Sequence, residues 1–214
     1  MAMISIAHPD FRDELFQEAK KMGLLSRSRT LSEAMYGSIY PAKIESTLEI
    51  AGESLTFRPA KPVDQRRIQE HFYNLEKSDV VSRFFHEKTC FLTKEIEEVS
   101  QIDYVKDLTV VALTGEVGFS SVVAVGEYLL EETQNVAEVA FSVSKQWQGH
   151  GLGRILIAKL AEAAHENGIE GLVAYTSPGN KGMISLFKTL PYKMTSSYDG
   201  DMVELKCTFN EPVD

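Results

Sequence analysis

The chain has 214 residues, 43% of them hydrophobic and 25% charged, the profile of a globular protein with room for one ordinary domain and an appendage. Its net charge of −9, with no basic stripe, argues against nucleic acid as a partner and suits a cationic one, although acidity also serves solubility by itself. No apolar run reaches the roughly 18 residues of a membrane span, Cys90 and Cys207 are too few for a disulfide framework, and five histidines are scattered without zinc spacing, so neither a membrane nor a metal is expected.

The start, MAMISIAHPDFRDELF, lacks a basic n-region and a long apolar core. The expectation is a cytoplasmic chain with no signal peptide. Residues 8–25, HPDFRDELFQEAKKMGLL, predict a helix opened by Pro9 and Asp10 and stopped by Gly23. Phe11, Leu15, Phe16 and Ala19 give it an apolar stripe. Residues 26–46 have no steady period and read as a connector. The boundary therefore falls between an N-terminal segment, 1–46, and a domain, 47–214.

Within the domain, TLEIAGESLTFRPA alternates like a strand and closes at Pro59. Asp64 can cap a helix through DQRRIQEHFYNLEK, with further helical pieces around DVVSRFFHE and TKEIEEVSQ. LTVVALTG (108–115) and GFSSVVAVGEYLLEE (118–132) predict two strands joined by a tight Glu-Val-Gly turn. AEVAFSV (137–143) is another strand, and ILIAKLAEAAHENG beyond it has helical spacing. GLVAYTS (171–177) is a strand and PGNKGMISLFKTL a loop and helix. YKMTSSY and DMVELKCTF flank Asp199-Gly200, a strong hairpin signal. The sum is an α/β (α+β) domain: a mixed, mostly antiparallel sheet of about seven strands with helices on both faces.

Between AEVAFSV and its helix stands QWQGHGLGR (146–154), with glycines at 149, 151 and 153. Glycine weakens strand and helix by roughly 0.5–1 kcal/mol each. One account is packing at a strand–helix turn. The other is a diphosphate ligand: a helix start offers about four unpartnered amides and roughly half a positive charge. A glycine loop adds converging amides and removes the Cβ atoms that would block the approach. The pattern is neither G-x-G-x-x-G nor a P-loop, and it follows the fourth strand rather than the first.

Gln146-Trp147-Gln148-Gly149-His150-Gly151 fits Q/R-x-x-G-x-G/A, and AEVAFSVSKQWQGHGLGRILIAKLAEAAHENGI resembles the strand–loop–helix unit of the GNAT N-acetyltransferases. Asn180-Lys181-Gly182-Met183 through Leu190-Pro191-Tyr192 is similar to the family's second coenzyme element, N-x-x-M/A…L-G-F. SRFFHEKTCFLTKEIEEVSQIDYVKD resembles the subgroup linked to acyl-CoA synthetase-like chains, which acetylates protein lysines. The likeness spans roughly residues 54–209. Separately, SIAHPDFRDELFQEAKKMGLL resembles the C-terminal tail of acetyl-CoA hydrolase/transferase enzymes, so a fused or associated enzyme of that kind is a candidate partner. An ordinary helix packing on the domain is the alternative.

The resemblance implies acetyl-CoA as co-substrate, no metal, and direct attack of an amine, on a protein lysine or a small molecule, at the thioester. Glu138 is then the general base, directly or through water. The amides of Phe141 and Val143 pair with the pantetheine arm or polarise the acetyl carbonyl. Gln148, Gly149, His150, Gly151, Leu152, Gly153 and Arg154 surround the diphosphate, with His150 facing solvent and Trp147 shielding the loop. Asn180, Met183 and Phe187 complete the coenzyme set. Phe187 departs from the family, where many members carry a tyrosine general acid seven positions after the asparagine. Tyr175 or Tyr192 is the substitute if an acid is needed. That departure keeps a second reading open, a non-catalytic acetyl-CoA-binding module that regulates an attached enzyme.

Overall fold

A computed structural model describes residues 4, 9–25, 40–91, 96, 103–116 and 118–213. Helix α1 (Pro9–Lys21) forms where the stripe predicts it. Only one side of that stripe is covered: Phe16 is buried, while Phe11 and Leu15 are exposed. Most of the connector lies outside the described residues, as does the helix expected around 93–101 apart from Ile96.

The segment expected as one strand is a hairpin, β1 (Ser46–Ile50) and β2 (Glu53–Pro59). Its two-residue turn places Ala51 at φ 53° and Gly52 at φ 84°, the paired positive angles that match the twist of the flanking strands. Alternation continues through this turn, so periodicity alone does not reveal it. Helices α2 (Gln65–Tyr73) and α3 (Lys77–Phe84) follow, then β3 (Asp107–Thr114), β4 (Ser121–Glu131) and β5 (Val136–Val143). Next come α4 (Leu152–Glu166), β6 (Gly171–Thr176), α5 (Lys181–Phe187), and the hairpin β7 (Tyr192–Asp199) and β8 (Met202–Pro212).

The eight strands make one sheet in the order β1-β2-β3-β4-β5-β6-β8-β7, antiparallel except for β5–β6. Alternate side chains of a strand face opposite sides, and both sides here are covered. Leu108, Val110 and Ala112 of β3 join Leu156, Ile157 and Leu160 of α4 in one core. Val111 and Leu113 join Ile68 and Phe72 of α2 in a second core. The mixed sheet with helices on both faces is as expected, with one more strand than the sequence reading gives.

Strands β5 and β6 stay paired only over Val136–Gly171, Ala137–Leu172 and Glu138–Val173. Beyond that they part, while β5 remains paired with β4 as far as Val143–Ala124. The sheet is therefore split along the last five residues of β5, and the glycine loop sits at the open end of the split.

Asp64 departs from its expected role. It stands at the start of α2 but makes no side-chain cap to the helix. Its fully buried carboxylate instead takes both guanidinium nitrogens of Arg58, at 2.6 and 2.8 Å, and the Lys61 amide at 2.9 Å. A buried carboxylate needs a fork-shaped cation more than a helix needs a cap.

Candidate active site

After β5 a 3-10 turn, Lys145–Trp147, carries the chain into the loop. Gly149 has φ +79° and Gly151 φ +86°, angles that cost any L side chain. A Cβ at either would meet nothing within 4 Å, so the backbone conformation, and not crowding, selects glycine there. Gly153 is different. Its φ is ordinary, and a Cβ there would make plain van der Waals contact with Leu186, at 3.5 Å.

Gly151 precedes α4 and brings no side chain to cap it. The Ile155 amide bonds the Gly151 carbonyl at 3.2 Å. The amides of Leu152, Gly153 and Arg154 come before that bond and have no intrahelical acceptor. They line a cleft of about 680 Å³ with Val143 and residues 147–151 on one side and Gly182, Ser185, Leu186 and Thr189 of the α5 region on the other. His150 is exposed, its Nδ1 3.0 Å from the Gln148 carbonyl. Trp147 is buried, its ring edge-on to His150.

The Gln148 side chain turns away from the helix mouth. Its Nε2 donates to the Val143 carbonyl at 3.2 Å and to Asp79 of α3 at 2.8 Å. Lys145 pairs with Glu76 at the start of α3, at 3.2 Å. The loop is thus tied to the helices on the opposite face of the sheet.

The Ser144 amide donates to Val123 of β4 at 2.9 Å. Amide direction alternates along a strand, so the amides of Phe141 and Val143 point to the edge that β6 has left. The Gln148 bond to the Val143 carbonyl agrees with this direction. Asn180 caps α5 by accepting from the Met183 amide at 3.0 Å. Met183 is partly buried against the main core, and Phe187 is 0% exposed within it.

Glu138 lies at the closed end of the split. Its side chain is exposed on the α2–α3 face. Partial desolvation raises its pKa above the usual carboxylate range. Glu127 and Glu131 reinforce the rise, and Arg83 opposes it. Arg83 of α3 is ion-paired with Glu127. Tyr175, on β6, senses the Glu138 charge, and its pKa is raised by desolvation and by Glu204, Glu131 and Glu138. Tyr192 packs on Phe209, ring centroids 4.9 Å apart, toward the outer edge of the sheet.

Sequence reasoning names loop and β5 residues for the site, of which Val143 and residues 148–154 line the cleft. It overlooks the α5 wall. Gly182, Ser185, Leu186 and Thr189 follow i, i+3, i+4, i+7 spacing, one helical face, whereas the same count from Asn180 leads to Met183, Ile184 and Phe187 instead. Nothing local in the sequence marks Asp79 or Glu76 as loop braces.

Known proteins bear on this geometry. Acetyltransferase PA5475 of Pseudomonas aeruginosa is 25% identical over 135 residues, which cover 63% of this chain and 73% of that protein. The GNAT domain of S. lividans PAT superposes with a TM-score of 0.70 at 24% identity, over 80% of this chain and 100% of that one. The structure of yncA from Salmonella typhimurium with its cofactor acetyl-CoA superposes with a TM-score of 0.55 at 21% identity, over 72% of this chain and 91% of that one. At these identities the two structures establish the fold. The model of the acetyltransferase (GNAT) family matches residues 70–190, more than half of the chain, from α2 through the glycine loop to the end of the α5 wall. The chain belongs to the GNAT family of acetyltransferases.

Proposed function

We propose that the chain transfers an acetyl group from acetyl-CoA to an amine, with a protein lysine as the acceptor, by direct attack on the thioester. The observation that carries this reading is the continuity of the site: uncapped amides at the mouth of α4 lead into the exposed edge of β5, which ends at Glu138. Bound acetyl-CoA supplies an activated acyl carbonyl and a thiolate leaving group. The loop and first-turn amides, from Gly149 to Arg154, hold the two phosphates. The Phe141 and Val143 amides hold the arm or polarise the carbonyl oxygen. Asn180 and Met183 order the start of α5 beside it, and Phe187 backs that helix from the core.

A lysine amine with pKa near 10.4 is neutral about once in 2,500 at pH 7, a deficit of about 4.6 kcal/mol. Glu138 recovers part of it by taking the proton, directly or through water. Its raised pKa makes it the better acceptor. Tyr175 shares that charge environment and is the candidate donor to the departing thiolate. The N-terminal segment as the tail of an acetyl-CoA-handling enzyme, and a cytoplasmic location, belong to the same proposal.

The test is acetyl transfer from labelled acetyl-CoA into a proteome extract, read by mass spectrometry against Glu138→Gln. The expected result is lysine acetylation by the wild type. In the variant, kcat/KM should fall by about 10²–10⁴ with acetyl-CoA affinity held within about twofold. Wild-type binding without transfer to any amine would point to the regulatory module instead, and absence of binding would end both readings.

A further inference from the structure

His71 is one of the scattered histidines, on α2, and 2% exposed. Its Nε2 lies 2.8 Å from Ser142 Oγ and its Nδ1 3.2 Å from Ser144 Oγ. The Val122 carbonyl of β4 also faces the ring. A neutral imidazole has one N–H and one lone pair, and a hydroxyl can both give and take, so two serines satisfy the ring in either tautomer.

The two serines bracket Val143. Ser142 belongs to the peptide that carries the Val143 amide, and Ser144 to the peptide that carries the Val143 carbonyl. Among the described residues, this stretch of β5 has a strand partner only on the β4 side, because pairing with β6 ends at Glu138. A strand with one bare edge is free to twist, and twist changes where its amides aim. The Gln148 bridge from the Val143 carbonyl to Asp79 restrains one of these peptides. Along the other, His71 supplies a restraint from outside the sheet, through Ser142.

We propose that His71 is a positioning residue for the coenzyme: through Ser142 and Ser144 it fixes the direction of the Val143 amide at the open split. The proposal rests on the acetyl-CoA reading above. It differs from a purely structural histidine in what it predicts. A histidine that only fills the core would be replaced by phenylalanine with altered stability and unaltered coenzyme affinity.

Three variants test it: Ser142→Ala/Ser144→Ala, His71→Phe, and the triple variant. The double serine variant removes both contacts with a change of two oxygen atoms, so it stands in if His71→Phe does not fold. Acetyl-CoA affinity is measured by calorimetry, KM and kcat by transfer assay, and amide exchange of the coenzyme-free protein by mass spectrometry. In the double serine variant the acetyl-CoA Kd and KM should rise about tenfold while kcat changes by less than about twofold. Adding His71→Phe to it should cost nothing further, because the histidine acts through those hydroxyls. Exchange of the Ser144 amide should quicken about tenfold with the coenzyme absent.

A folded double or His71→Phe variant with wild-type affinity overturns the positioning role. So does an additive loss in the triple variant. Wild type that fails to bind acetyl-CoA sinks the acetyltransferase reading and takes this role with it. Wild type that binds, beside variants that bind equally, sinks only the role of His71.

Discussion

Phe187 stands where many family members carry a tyrosine, and its surroundings explain how the site treats a hydroxyl there. It is 0% exposed, in a core shared with Leu190, Val203 and Leu205. A hydroxyl buried in an apolar core without a partner costs about 1–3 kcal/mol. Phe187→Tyr should therefore melt at a lower temperature with kcat within about twofold of wild type. A tenfold gain in kcat would instead mean that the hydroxyl reaches the reacting atoms. Glu138 makes a second prediction. Its pKa is raised in the folded chain, and only the carboxylate accepts a proton. The acid limb of the kcat/KM profile should thus lie above the ordinary glutamate value near 4.3, with rate lost as pH falls through it. Arg83→Gln removes a cation that opposes the rise, so it should move that limb further upward.

The glycine loop and α4 act as one element, and its three glycines do separate jobs. An L side chain at φ near +80° costs about 1–2 kcal/mol. Gly149→Ala and Gly151→Ala should each pay that in loop geometry and lose about tenfold in acetyl-CoA affinity, measured by calorimetry. Gly153→Ala should keep its affinity within about twofold, because its Cβ would only touch Leu186. It should also gain a few tenths of a kcal/mol in stability from better helix propensity. If all three variants behaved alike, conformational selection at 149 and 151 would be the wrong account. The regular spacing of these glycines suggests one shared reason in the sequence. The backbone angles separate two of them from the third.

At the scale of the whole molecule, two buried groups on the α2 side, His71 and Asp64, contribute to acid sensitivity. His71 is pushed down to about 4 by desolvation, with the Val122 carbonyl opposing. In the unfolded chain it titrates near 6.5. Between those values the unfolded chain binds the extra proton, so stability falls as pH drops from about 6.5 toward 4, by at most about 3 kcal/mol. For Asp64, burial alone would raise the pKa, but Arg58, the Lys61 amide and Arg67 outweigh it and hold the carboxyl below its usual range. Its contribution is present above the unfolded value near 3.9 and is lost as pH falls below that. Urea unfolding at pH 7, 5 and 4 should show the first loss in the wild type and a flatter profile in a folded His71→Phe. Asp64→Asn should destabilise at pH 7 by about 3–5 kcal/mol, since it leaves Arg58 buried without its counter-charge.

The sequence by itself determined what repeats locally. Alternation marked most of the strands, helical spacing marked α1 and α4, and a glycine loop between a strand and a long helix marked the cleft proposed for the coenzyme. These signals are legible because backbone geometry imposes periods of 2 and 3.6 on side chains. The β1–β2 turn was hidden because Ala51 is an uncommon residue for a positive φ and the alternation runs through it. Only the tertiary structure decided the parting of β5 from β6, the α5 wall of the cleft, the bare edge at Phe141 and Val143, and the histidine 71 residues away that holds Ser142. Those features arise where segments distant in the chain meet, and hydrogen-bond partners that meet this way leave no period in the sequence to read.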